Sequence, residues 1–142
     1  MGRNVVSLSE VAQTDLPLVG GKAAKLGELV GPGLPIPPGF VVTTEAYQAF
    51  VDSTSLGRRI QEEMGRVDIQ HPEEVERICA AIRSAFESTP FPPELRHEIT
   101  GAYEQFAQKN AVRYSAVRSS ATAEDLEGAS FAGLQDTYLN IT

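Results

Sequence analysis

The 142-residue chain has no tryptophan, one cysteine, two methionines and two histidines. A lone thiol, Cys79, closes no internal disulfide, and His71 and His97 form no cluster with metal-ligand spacing. Cys79 stands among apolar residues and is expected to pack in the interior; His71, before a proline, and His97, in a polar helical stretch, are expected at the surface. No apolar run approaches the ~20 residues of a membrane span. Residues Met1 to Ser7 lack the apolar stretch and small-residue cleavage site of a secretory signal, so a cytoplasmic protein with no membrane partner is expected. Positive charge is also scarce: 12 Lys and Arg against 19 Asp and Glu leave a net charge of -7. That balance argues against nucleic acid as a partner, because such binding rests on basic side chains neutralising phosphates. The deficit is local, since residues 45 to 104 hold 12 acidic and 6 basic side chains and the remainder is nearly neutral.

What is present is a soluble composition, 42% hydrophobic and 22% charged, of a size for one domain or a piece of something longer. Val5 to Leu8 reads as a short strand, followed by a loop to Pro17. After Gly20-Gly21, residues 22–30 are mostly good helix formers, with Leu26, Leu29 and Val30 at helical spacing, so Lys22 is expected at a helix N-terminus. Gly31-Pro32-Gly33 ends that helix, the prolines of 35–38 forbid another, and Phe40-Val41-Val42 reads as a short buried strand. Thr43 or Thr44 can cap the next helix, whose apolar stripe is Ala46, Tyr47, Phe50 and Val51. A helix opens at Pro72 and carries Val75, Ile78, Ile82 and Phe86, with Glu73 and Arg77 placed to pair. Prolines at 90–93 end it, and a further helix carries Leu95, Ile99, Ala102, Tyr103 and Phe106. Residues 112–118 then read as a strand, 124–133 as a loop and Thr137 to Ile141 as a final strand. That strand runs into Thr142, which suggests a chain cut inside a larger fold.

Three segments can carry chemistry. At Gly20-Gly21-Lys22, two glycines let the backbone approach a ligand, and the helix that follows is expected to aim unpaired N–H groups and its positive dipole end at a phosphate. The P-loop pattern fails, because Leu16 stands where a glycine is needed and Ala23 where Ser or Thr is needed; a plain turn with a solvated lysine is the competing reading. Arg118 ends a strand beside the hydroxyls of Ser119 and Ser120 and can offer a fork of donors to a phosphate, or pair with Glu124 or Asp125. Ser130-Phe131-Ala132-Gly133 reads as a loop able to close over a phosphate chain, with Gly133 giving freedom to move, or as a plain hairpin connection.

Taken together, Leu18 to Leu29, Pro37 to Thr44, and Ala116 to Leu126 with Ala129 to Gly133 resemble the N-terminal domain of the phosphoenolpyruvate synthase, pyruvate phosphate dikinase and rifampin phosphotransferase group. The resemblance covers nearly the whole chain. It departs from the family where Ala23 and Lys25 stand within the first block and Leu134 follows the last. It implies an α+β fold, the first part of an ATP-grasp nucleotide-binding domain, with a mixed sheet and an inserted helical segment at about 44–108. It further implies that Lys22 and Arg118 contact the phosphates of ATP, with Arg118 stabilising charge, that Gly133 belongs to the covering loop, and that Thr137 touches the nucleotide from the following strand. Mg2+ ligands, the phosphoryl-carrying histidine and the pyruvate site are implied to lie on other domains of the same chain, so no catalytic set is complete here and this piece alone is expected to be inactive. A rifampin phosphotransferase, or a stand-alone nucleotide-binding or interaction module without catalysis, are the alternative functions.

Overall fold

A computed structural model describes residues 3–30, 34–122 and 136–142. The chain divides into two units, one formed by residues 1–46 and 97–142 and the other by residues 47–96.

The first unit is built on short elements. Strand β1 (Val5–Ser7) pairs antiparallel with β2 (Phe40–Val42), in register from Val5 opposite Val42 to Ser7 opposite Phe40. Between them lie two single-turn 3-10 segments, a four-residue helix α1 (Leu16–Val19) and helix α2 (Gly21–Val30). The core of this unit is Val6, Val11, Val19, Ala23 and Ala24, with Leu16, Leu18 and Val41 packed on it. Small residues dominate the buried face of α2 because the chain approaches it closely. A Cβ at Gly27 would stand 2.8 Å from both Cβ and Cγ1 of Val11, and nearer still to the Val11 carbonyl oxygen. Of the two threonines offered as caps, Thr43 takes the role. Its buried hydroxyl accepts from the Ala46 amide at 3.3 Å and donates to the Arg3 carbonyl at 2.6 Å, so the start of α3 (Thr44–Asp52) is tied to the N-terminal segment. Thr44 Oγ1 donates to the Pro17 carbonyl at 3.0 Å.

The second unit is helical. It holds most of α3, α4 (Leu56–Met64), α5 (Pro72–Ser88) and the first turn of α6 (Pro93–Asn110), and α4 packs on α5. Its interior combines Val51, Leu56, Ile78, Ala85 and Leu95 with an aromatic group in which Phe50 stacks on Phe91 at 4.9 Å and tilts against Phe86 at 6.1 Å. Such ring pairs contribute about 0.5–1.5 kcal/mol beyond the area they bury.

The α+β character expected from the sequence is present. The mixed sheet is not: the described strands form two separate antiparallel ribbons, β1 with β2 and β3 (Ser115–Arg118) with β4 (Thr137–Ile141). Strands of three to five residues meet their backbone partners within each ribbon, and no parallel pair occurs among the described residues. Other local expectations shift for identifiable reasons. Helices α1 and α4 were not expected: α1 is about a single turn with no room for a period, whereas α4 does signal itself, with Leu56, Ile60 and Met64 four residues apart. Arg77 pairs with Glu74 at 3.6 Å, one turn position nearer than Glu73. Cys79 is half-buried, and Val42 is exposed because β2 lies in a two-stranded ribbon with little covering it.

Two glycines test this packing in opposite directions. Gly27→Ala should destabilise the chain by about 1–3 kcal/mol, because the methyl collides with backbone that cannot rotate away. Gly101, inside α6 with nothing within 4 Å of its missing side chain, should gain up to about 1 kcal/mol on replacement by Ala. Thermal unfolding of both variants beside the parent checks the two signs.

Candidate functional site

The two segments singled out for chemistry near opposite ends of the chain meet. Helix α1 ends at Val19, and Gly20 turns the backbone with φ 78° and ψ 168°, a region essentially reserved for glycine. Helix α2 begins at the next residue. Strand β3 ends at Arg118, and the residues that follow run directly past Gly20: a Cβ there would lie 2.6 Å from Ser120 Oγ and closer to the Ser120 carbonyl. Hydrogen bonds close the junction. The Gly21 amide donates to the Ala121 carbonyl at 3.0 Å, and the Ala23 amide donates to Ser120 Oγ at 3.1 Å.

This geometry corrects one expectation. The first turn of α2 does not hold a row of open amides awaiting a phosphate, because residues 120 and 121 already accept from Gly21 and Ala23. Nothing local in the sequence signals it, since the acceptors lie about a hundred positions away. These two amides are therefore not open to a ligand.

Of the four residues proposed for nucleotide contact, three are in the described structure. Lys22 is half-buried at the second position of α2, between the two amides that cross to residues 120 and 121. Arg118 is exposed at the end of β3. Thr137 is exposed at the start of β4 and stands directly opposite Arg118 in the antiparallel register. Gly133 and the rest of the expected covering loop lie outside the described residues, as do Glu124 and Asp125, the carboxylates weighed as partners for Arg118. The β3–β4 ribbon carries a bulge between Ser115 and Val117, and Asn140 on the opposite strand has φ 58° there. Beyond the bulge the Val117–Tyr138 and Arg118–Thr137 pairs regain register, which fixes which residues flank the guanidinium.

Among the described residues no three His, Cys, Asp or Glu side chains converge as a metal site. No described helix is long and apolar enough to cross a membrane. A cavity of about 420 Å³, lined by Leu8, Ile36, Phe40, Phe106 and Lys109 among others, contains none of the candidate residues, so cavity size does not mark the junction.

Comparison with known proteins bears on this arrangement. Residues 16–142 match the family described as pyruvate phosphate dikinase, AMP/ATP-binding domain. The chain is 49% identical over 98% of its length to a phosphoenolpyruvate synthase of Aeropyrum pernix, covering 17% of that protein. It is 45% identical to a probable phosphoenolpyruvate synthase of Staphylothermus marinus, over 98% of this chain and 17% of that protein. It is 40% identical to the phosphoenolpyruvate synthase of Escherichia coli, over 96% of this chain and 18% of that protein. The chain thus spans about a sixth of the length of these relatives.

Gly20→Ala should break the junction, forcing a Cβ against Ser120 and the backbone out of its positive φ, at a cost of about 1–3 kcal/mol from the backbone alone. Gly39→Ala, whose Cβ would meet Leu8 Cδ2 at an ordinary 3.5 Å, is the control and should stay near the parent in chemical denaturation.

Proposed function

Because the chain belongs to the pyruvate phosphate dikinase AMP/ATP-binding domain family, we propose that it is the ATP-binding part of an ATP-dependent phosphotransferase of phosphoenolpyruvate synthase type. The observation that carries this reading is the junction of residues 20–23 with 120–121, which draws the Lys22 segment to the strand end bearing Arg118, with Thr137 beside it. An ammonium, a guanidinium and a hydroxyl are a donor set suited to a polyphosphate: the planar guanidinium grips two phosphate oxygens, the ammonium acts as a point charge, and the hydroxyl supplies a neutral hydrogen bond.

Phosphoryl transfer demands positioning and charge neutralisation more than covalent participation by the protein. In this reading Lys22 and Arg118 bind the phosphates and offset the charge that builds as the terminal phosphoryl group departs. Thr137 fixes the nucleotide from the start of β4, and Gly133 belongs to a loop covering it. An ATP-grasp fold would be completed by chain that the relatives have in addition, with residues about 44–108 as a helical insertion. The acceptor is a histidine on another domain, which passes the group to pyruvate. Magnesium would accompany ATP, and the described residues offer it no cluster of three or more His, Cys, Asp or Glu ligands. The names of the relatives favour pyruvate over rifampin as the final acceptor.

Titration calorimetry with ATP and magnesium tests the reading. Lys22→Ala and Arg118→Ala should each weaken binding by about tenfold or more, the loss expected of a charge-assisted hydrogen bond. Arg113→Ala, which removes a guanidinium stacked over Tyr114 at 5.2 Å, should leave affinity unchanged. Equal binding by all three variants and the parent would overturn the assignment.

A further inference from the structure

We propose that Ser120 is a positioning residue that fastens the Lys22 helix to the Arg118 strand end, so that the two cations meet a phosphate as one preformed unit. The inference rests on the phosphate-binding reading above and extends it to a residue whose hydroxyl the sequence suggested only as a helper to the ligand.

Helix α2 lacks a cap of its own. A helix is usually capped by the side chain just before its first residue, whose oxygen accepts from the amide two or three positions on. Here that place belongs to Gly20, which has no side chain and no room for one. The amide of Ala23, third in the helix, instead finds its acceptor in Ser120 Oγ, 97 residues away in sequence. The Gly21 amide finds the next carbonyl of the same segment. A cap that is ordinarily local has been supplied from the strand end, and it fixes the backbone on both sides of Lys22.

The consequence is entropic. An anion held by side chains on two separate segments must order both segments on arrival unless they are already fastened together. Ser120 lies two residues beyond Arg118, and its hydroxyl bonds one residue beyond Lys22, so loss of this bond leaves only the Gly21–Ala121 bond and loosens the helix from the strand end where the charges are carried. Held together beforehand, the pair does not have to be ordered when ligand binds. The Ser120 hydroxyl accepts from α2, and it is this bond that acts on binding through Lys22 and Arg118.

The experiment uses the full chain with ATP and magnesium as the probe. Ser120→Ala should weaken binding by about tenfold, the equilibrium equivalent of a lost cap. Ser120→Thr, which keeps the hydroxyl, should recover most of the affinity. A double-mutant cycle between Lys22→Ala and Arg118→Ala should show coupling in the parent and clearly less in the Ser120→Ala background, a readout that a merely structural role would not move. Affinity and coupling unchanged in Ser120→Ala, where Lys22→Ala has lost binding, would overturn the proposal. Should the parent bind no ATP, the phosphate reading fails by itself, and hydrogen exchange at the Ala23 amide decides the fastening: faster exchange in Ser120→Ala upholds it and unchanged exchange overturns it. If Ser120→Ala does not fold, Ser120→Cys, with its weaker sulfur acceptor, replaces it with the same outcomes.

Discussion

At Gly20 the backbone occupies a conformation that residues with a Cβ scarcely enter, and Ser120 fills the volume where that Cβ would stand. Much of the first unit is arranged around this close approach. It lets α2 follow α1 without a spacer, brings the segment after β3 within hydrogen-bonding distance of two α2 amides, and so connects residues about a hundred positions apart. The hydrogen bonds are individually modest, about 1 kcal/mol net each. Their weight comes from what they tie together, because the Lys22 helix and the Arg118 strand are otherwise separate pieces of chain.

The same contact accounts for the persistence of the β3–β4 ribbon. An isolated pair of strands is marginal in water, and this one exposes Val117, Tyr138 and Leu139. Its own faces therefore contribute little burial. The crossing bonds from Gly21 and Ala23 anchor the chain just past the end of β3, while the register across Val117–Tyr138 and Arg118–Thr137 carries that order to β4. The proposed phosphate contacts lie at the tethered end of the ribbon, where the backbone is best held.

The second unit is organised by different means. Its helices bury aliphatic side chains and a group of stacked rings, and its surface ion pairs are exposed ones such as Arg58 with Glu62 and Arg66 with Glu63. Pairs of that kind contribute little, typically less than about 1 kcal/mol. Packing holds this unit, and the excess of acidic side chains over residues 45 to 104 sits largely on its solvated faces.

The sequence alone determined what local chemistry dictates. Helices α2, α3, α5 and α6 follow from apolar spacing, with Pro72 marking the start of α5 and Thr43 or Thr44 offered for α3, and the strands at Val5, Phe40 and Thr137 follow from short β-branched or aromatic runs. Blocks around Lys22 and Arg118 sufficed to identify the family. The four-residue helix α1 was not legible, nor was the separation of the strands into two antiparallel ribbons, since neither has a periodic signature of its own, while α4 was signalled by the spacing of Leu56, Ile60 and Met64. Only the tertiary structure decided that the first α2 amides are bound by residues 120 and 121 and are not left for a ligand, and that Thr137 stands across from Arg118. The physical reason is that hydropathy and propensity act over a few residues, whereas the acceptor that satisfies a helix N-terminus is chosen by whichever segment the folded chain delivers there.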